Sequence, residues 1–162
     1  MACIVSWFNQ AKPQGPIVDA YCGIGTISLP LAAQGHRVVG LEINPDSIEQ
    51  AGRNADTNGL GPLTQFKAGD VADLLKDSLP GCSALVVDPP RRGLESSVIE
   101  VILSDPPPLL AYLSCDMATQ ARDLKRLLQP EGPYQLDQLQ PVDFFPQTTH
   151  LENLALLRQI SS

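Results

Sequence analysis

Between Ile17 and Ser114 the chain alternates short apolar runs with amphipathic stretches. That alternation confines it to a parallel sheet covered by helices on both faces. Residues 17–21, 37–41, 64–68, 84–88 and 109–114 read as strands, and 26–34, 45–58, 71–77, 94–103 and 117–129 as helices. Pro45 suits a first helical turn, where no N–H is needed, and Asn58-Gly59 suits the residues just past a last one. Pro130 and Gly132 close the final helix. Residues 134–142 and 151–159 carry the pattern of two more strands, an antiparallel pair. Residues 1–16 show no such pattern, and Pro13, Gly15 and Pro16 mark them as a linker or remnant. The expected architecture is one α/β domain over residues 17–162, a doubly wound sheet of about seven strands with its site at the carboxyl ends of the parallel ones.

At 162 residues and 43% hydrophobic content, the chain has material for a single core. No apolar run is long enough to cross a bilayer, and no basic start with an apolar stretch marks a signal peptide. The cytoplasm is the expected compartment, with no membrane partner. The four cysteines, Cys3, Cys22, Cys82 and Cys115, form no C-x-x-C pair and have no histidine at ligand spacing, so no metal is expected. The formal net charge is −7. Nucleic-acid affinity rests mainly on Lys and Arg contacts to phosphate, so a domain this acidic should hold RNA weakly unless another domain supplies the grip. Basic residues cluster only at Arg91-Arg92 and at Arg122, Lys125 and Arg126.

Chemistry concentrates at strand ends. The turn after the first strand reads Asp19-Ala20-Tyr21-Cys22-Gly23-Ile24-Gly25-Thr26. Its glycines let backbone pass close to a ligand and open a helix N-terminus towards it. Glu42 ends the second strand about twenty residues on, where an acid can hydrogen-bond both ribose hydroxyls. Asp70 ends the third and can accept from an adenine amino group; alternatively Glu42 and Asp70 only cap the helices that follow. A dinucleotide site expects G-x-G-x-x-G, but Ser28 stands at the third glycine position. S-adenosylmethionine has no pyrophosphate and carries cationic groups that suit the acid Asp19, so it is preferred over NAD.

Three further motifs follow: Asp88-Pro89-Pro90-Arg91, then Leu113-Ser114-Cys115, then Phe145-Pro146-x-Thr148-x-His150-x-Glu152. Together with the glycine loop and Glu42 they resemble the RNA uracil-5-methyltransferases, which form 5-methyluridine in transfer or ribosomal RNA. The likeness runs from about residue 16 to the end of the chain; the loop is shared by many methyltransferases, whereas the Cys motif with the F-P-x-T-x-H-x-E tail is specific. It implies a Rossmann-like class I methyltransferase fold and S-adenosylmethionine as cofactor. By it, Cys115 falls on the nucleophile and Glu152 on the general base. Asp88 falls on an acid near both cofactor and target base, and Asp19, Tyr21, Gly23, Gly25, Glu42 and Asp70 on the cofactor side. Pro89-Pro90 would stiffen the loop under the base, with Arg91 either holding that loop or touching RNA. His150 would orient the turn that holds Glu152. Cys22 is expected to pack in the loop, and Cys3 and Cys82 to be small core residues.

Uracil carbon 5 is too poor a nucleophile to accept a methyl group unaided. Thiolate addition at carbon 6 makes it electron-rich, and a base must then remove the carbon 5 proton so that the thiol can leave. The target base must leave its stack to reach such a pocket. Where the family continues Ser-Cys with Asn-Pro, this chain has Asp116-Met117, a carboxylate beside the nucleophile. The RNA-binding barrel and central domain usual in the family are not found in residues 1–16. The expectation is therefore a catalytic domain alone. The alternative is an S-adenosylmethionine-binding module that is inactive without RNA-binding domains; a nicotinamide oxidoreductase rests on the glycine loop only.

Overall fold

The computed structural model describes residues 2–142 and 152–160. Phe145, Pro146, Thr148, His150 and the expected strand start at Leu151 lie outside them. In chain order the elements are α1 (Ala2–Ala11), β1 (Ile17–Ala20), α2 (Ser28–Ala32), β2 (Val38–Glu42) and α3 (Pro45–Thr57). After a single 3-10 turn at Gly61–Leu63 come β3 (Thr64–Ala68), α4 (Val71–Ser78), β4 (Ala84–Val87), α5 (Ser96–Ser104) and β5 (Leu109–Ser114). The chain continues with α6 (Met117–Leu127), β6 (Tyr134–Val142) and β7 (Glu152–Gln159).

The seven strands form one sheet in the order β3-β2-β1-β4-β5-β7-β6. The first five are parallel, while β7 runs antiparallel to both β5 and β6. The doubly wound fold expected from the alternation is therefore present. Its crevice opens where the winding reverses, between β1 and β4.

Strands β1, β4 and β5 are buried along their whole length, the signature of a parallel sheet covered on both faces. Their side chains alternate between two cores. Val18, Ala20, Leu85, Val87, Leu110 and Tyr112 join Leu75 of α4, Ile99 and Ile102 of α5 and Leu127 of α6. Ile17, Ala84, Val86, Leu109, Ala111 and Leu113 join Leu31 of α2 and Ile4, Trp7 and Phe8 of α1.

That last group corrects the expectation for residues 1–16. They are not a linker: Ala2–Ala11 is helical, and Ile4, Trp7 and Phe8 are buried at 1%, 7% and 0% exposure. Their spacing of three and four residues puts them on one helical stripe, short but wide enough to dock on the sheet. The turn-forming Pro13, Gly15 and Pro16 form only the connector that follows. Trp7 also donates Nε1–H to Asp137 Oδ2 of β6 at 2.9 Å, and the Arg158 guanidinium of β7 lies 5.8 Å from its ring. The second difference is smaller: α2 begins at Ser28 rather than at residue 26 and ends at Ala32, because the backbone turns of the glycine loop extend to Ile27.

If α1 belongs to the core, Phe8→Ala should lower the unfolding free energy by about 3 kcal/mol or more. Urea unfolding monitored by Trp7 fluorescence measures this, and a loss below about 1 kcal/mol would show the helix to be dispensable.

Candidate active site

Parallel pairing brings the strand-end residues into one row. In the order β2-β1-β4-β5-β7, the carboxyl ends carry Glu42, the glycine loop, Asp88 and Cys115, and antiparallel β7 begins at the same edge with Glu152. With strands about 4.8 Å apart, the row crosses four spacings, about 19 Å. Registers Val87↔Tyr112 and Ser114↔Asn153 close the β4–β5 and β5–β7 ladders. Cys115 and Glu152 thus flank the last rung, where directly opposite Cα atoms lie about 5 Å apart.

A cleft of about 310 Å³ occupies the β2–β1–β4 half of this edge. It is lined by Tyr21, Glu42, Ile43, Asp70, Val71, Ala72, Asp88, Pro90, Arg92, Glu95 and Val98. Tyr21, Glu42, Asp70 and Asp88 are thereby brought together as the sequence leads one to expect. Each Glu42 oxygen already accepts a backbone N–H, Oε2 from Gly23 at 3.2 Å and Oε1 from Asn44 at 3.0 Å. Each retains a second lone pair for a ligand hydroxyl. Gly23 makes this approach with φ of +54°, and Tyr21, at φ +66°, is held in a conformation that costs a non-glycine residue about 1–2 kcal/mol. Strain of this kind collects at ligand sites. Gly25 closes the turn by donating its N–H to Cys22 O at 2.9 Å. Asp70 lines the cleft and also caps α4, accepting from Asp73 N at 3.2 Å, so both roles open to it are compatible.

Asp19 takes a different place. It does not line the cleft: it is fully buried beneath the loop and accepts Ser28 Oγ–H on Oδ2 at 2.6 Å. Its Oδ1 is buried without a hydrogen-bond partner among the described residues. Burial, and secondarily repulsion from Asp88, push this carboxyl up to about 7 against the restraining Ser28 bond. A protonated carboxyl satisfies an orphan oxygen of this kind better than a carboxylate does. Cys22 is packed in the loop, and burial raises its thiol well above the ordinary value.

At the other half of the row, burial pushes Asp88 up to about 6, with repulsion from Glu152 adding to it. Desolvation likewise raises Glu152. Cys115 is partly exposed and precedes the N-cap of α6. That cap is Asp116, whose carboxylate accepts from Thr119 N at 2.9 Å; the Thr119 backbone bond keeps it below the usual carboxylate value. Asp and Asn are equivalent N-caps, so Asp116-Met117 keeps the helix start that Asn-Pro would make. Arg91 is exposed at its side chain and gives its carbonyl to Thr119 Oγ at 3.0 Å.

Three buried polar residues behind this row escaped the sequence reading. Gln120 and Asp123 of α6 and Asn153 of β7 are 1%, 1% and 9% exposed. Asp123 accepts from Leu94 N and Tyr112 OH, both at 2.8 Å, and from Arg122 Nε at 2.9 Å. The signal was available, since Gln120 and Asp123 sit three apart on the face that an amphipathic α6 turns to the sheet. Glu95 and Arg92, joined at 2.6 Å, were also missed as cleft residues. Among the described residues no cluster of three or more His, Cys, Asp or Glu is placed to hold a metal, and no helix is long and apolar enough to cross a membrane.

A family model described as tRNA (uracil-5-)-methyltransferase matches residues 3–160. The chain belongs to that family. Similar proteins include an uncharacterized RNA methyltransferase of Parasynechococcus marenigrum, 83% identical over 162 residues, of which the chain covers 35%. Another, from Nostoc, is 44% identical over 151 residues with 32% of its length covered. The chain thus spans about a third of the curated relatives it matches. Among solved structures, the Pyrococcus abyssi tRNA (uracil-54, C5)-methyltransferase in complex with S-adenosyl-L-homocysteine has a TM-score of 0.81 at 31% identity, over 96% of this chain and 37% of that one. A magnesium protoporphyrin IX methyltransferase of Synechocystis with bound SAM shares the fold at a TM-score of 0.74 and 16% identity, over 98% of this chain and 77% of that one.

The buried carboxyl gives a testable pH dependence. Folded Asp19 keeps its proton up to about pH 7, against 3.8 for the free group. The folded state therefore binds more protons across that window, so this contribution is full below the lower value and is lost as pH rises through the upper one. Asp19→Asn should flatten the decline between about pH 4 and pH 8 by up to about 4 kcal/mol. Urea unfolding at each pH tests this, and a variant profile parallel to wild type refutes it.

Proposed function

We propose that this chain is the catalytic domain of an S-adenosylmethionine-dependent enzyme that methylates carbon 5 of a uridine in RNA, transfer or ribosomal. One observation carries the reading: Asp88, Cys115 and Glu152 stand on adjacent strands at one sheet edge, beside a cleft lined by carboxylates. The family membership and the fold agree with it.

The cleft fits the cofactor. Its volume lies at the lower end of the range for small-molecule sites, and Glu42, Asp70, Asp88 and Glu95 give it an acidic wall suited to a cationic ligand. Glu42 would hold ribose hydroxyls with its free lone pairs, Asp70 an adenine amino group, and Tyr21 and Asp88 the remainder. When bound, S-adenosylmethionine supplies an electrophilic methyl group.

The remaining steps belong to the chain. Cys115, just before the α6 N-cap, adds its thiolate to uracil carbon 6. Asp88, raised by burial, retains a proton more readily than an ordinary carboxyl and can hydrogen-bond the uracil edge. Once carbon 5 carries the methyl group, Glu152 removes its proton, the carbon 5–carbon 6 double bond re-forms, and the Cys115 thiolate leaves. A base with a raised affinity for protons suits that role. With a net charge of −7, the domain would take its RNA grip from the portion of the longer relatives that lies outside this chain. The same span favours a second reading, a cofactor-binding module that does not turn over alone.

Incubation with S-adenosylmethionine and RNA containing 5-fluorouridine separates the two. Fluorine cannot leave as a proton, so a methylated covalent complex at Cys115 is expected by mass spectrometry. Cys115→Ala should abolish it while cofactor affinity changes by less than about twofold. Cofactor binding without any adduct in wild type would leave the module reading.

A further inference from the structure

The residues behind the proposed reaction centre form a bridge that the chemistry above does not use. Gln120 of α6 donates both protons of its Nε2 to carbonyls of two different strands, Tyr112 O of β5 at 2.9 Å and Asn153 O of β7 at 3.0 Å. Its Oε1 accepts from Asn153 Nδ2 at 2.7 Å. Two carbonyl acceptors fix which way the Gln120 amide points, and the donor from Asn153 agrees. Both side chains are buried, so no water competes.

The position of this bridge gives it meaning. Asn153 is the residue after Glu152 and pairs with Ser114, the residue before Cys115. The ladder fixes these strands within the sheet but leaves displacement out of its plane to be resisted by packing. Gln120 ties the rung to a rigid helix on one face. Cys115 has holds of its own through the Ser114 hydroxyl, which accepts from Asp116 N at 3.1 Å and donates to Asp116 O at 3.0 Å, and through the Asp116 cap. For Glu152, at the first residue of β7, the Asn153–Gln120 contact next to it is a tie to α6 among the described residues.

We propose that Gln120 and Asn153 are positioning residues that set Glu152 for proton removal, and so govern the second half of the reaction rather than the first. This rests on the uracil-5 reading above. In the step concerned, the carbon 5 proton passes to the Glu152 carboxylate, the electron pair of that C–H bond forms the carbon 5–carbon 6 double bond, and the carbon 6–sulfur bond breaks with its pair leaving on Cys115. A carboxylate displaced by even an ångström loses much of its efficiency in such a transfer.

The experiment uses the whole chain with two RNA probes. Adduct formation on 5-fluorouridine RNA reads attack and methyl transfer, while tritium release from RNA carrying 5-tritiated uridine reads proton removal. In Gln120→Met, adduct formation should stay within about threefold of wild type while tritium release slows by about tenfold or more, with a covalent species accumulating on unmodified RNA. Removing both partners of a buried hydrogen bond is milder for folding than removing one, so Gln120→Met/Asn153→Leu provides a folded control. It should release tritium no more slowly than the single variant, because the same three hydrogen bonds through Gln120 are lost in both. Unchanged tritium release, or an equal loss in both assays, overturns the positioning role. If wild type gives neither signal, the uracil-5 reading itself fails, and this inference with it.

Discussion

Strand β4 pairs in parallel with β1 on one side and β5 on the other, and the row of candidate site residues depends on that double pairing. Its four residues are fully buried, so each backbone polar group must be satisfied by a neighbouring strand. The register this demands aligns Ala20 with Val87 and Val87 with Tyr112. The loops beyond those residues then emerge at one edge. The glycine loop, the Asp88-Pro89-Pro90 loop and Cys115 therefore lie along one edge of the sheet, although they are far apart in the chain. Reversal of the winding at β1 and β4 opens the cleft there, because the crossover helices leave the sheet in opposite directions.

The two halves of the edge differ in character. On the β1–β2 side the acids hold backbone: Glu42 accepts from the loop and from Asn44, and Asp70 caps α4. Those carboxylates are organised by N–H groups before any ligand arrives. On the β4–β7 side desolvation raises both Asp88 and Glu152, and for Asp88 repulsion from Glu152 adds to it, which favours protonation over ionisation relative to a free carboxyl. Residues of the same type thus sit in different electrostatic surroundings in the two halves, as the proposed division between cofactor binding and proton transfer requires. Asp19 belongs to neither half; buried under the loop with its Ser28 partner, it supports the turn from behind.

The alternation of strands and helices, the helix start at Pro45, the cap at Asp70 and the carboxylates at strand ends were legible because each is a local rule of periodicity or backbone satisfaction. The α1 helix was not, since one short apolar stripe, Ile4, Trp7 and Phe8, is too brief to stand out beside the connector with Pro13, Gly15 and Pro16. Nor was the brace on α6. Gln120 and Asp123 share the helical face of Leu127, which points them inward, but their partners on β5, on β7 and at Leu94 are brought to them only by the fold.

What the sequence determined by itself was the element order from β1 onward, the parallel sheet and the residue types at each strand end, because hydrophobic period and turn chemistry act over a few residues. Tertiary structure decided which of those ends meet. It withdrew Asp19 from the cleft, brought Arg92 and Glu95 into it, turned Asp116 into a helix cap and set Glu152 at the same sheet edge as Asp88. These outcomes depend on the order in which strands pair, and that order is fixed by burying two faces of one sheet at once, a condition no local stretch of chain can express.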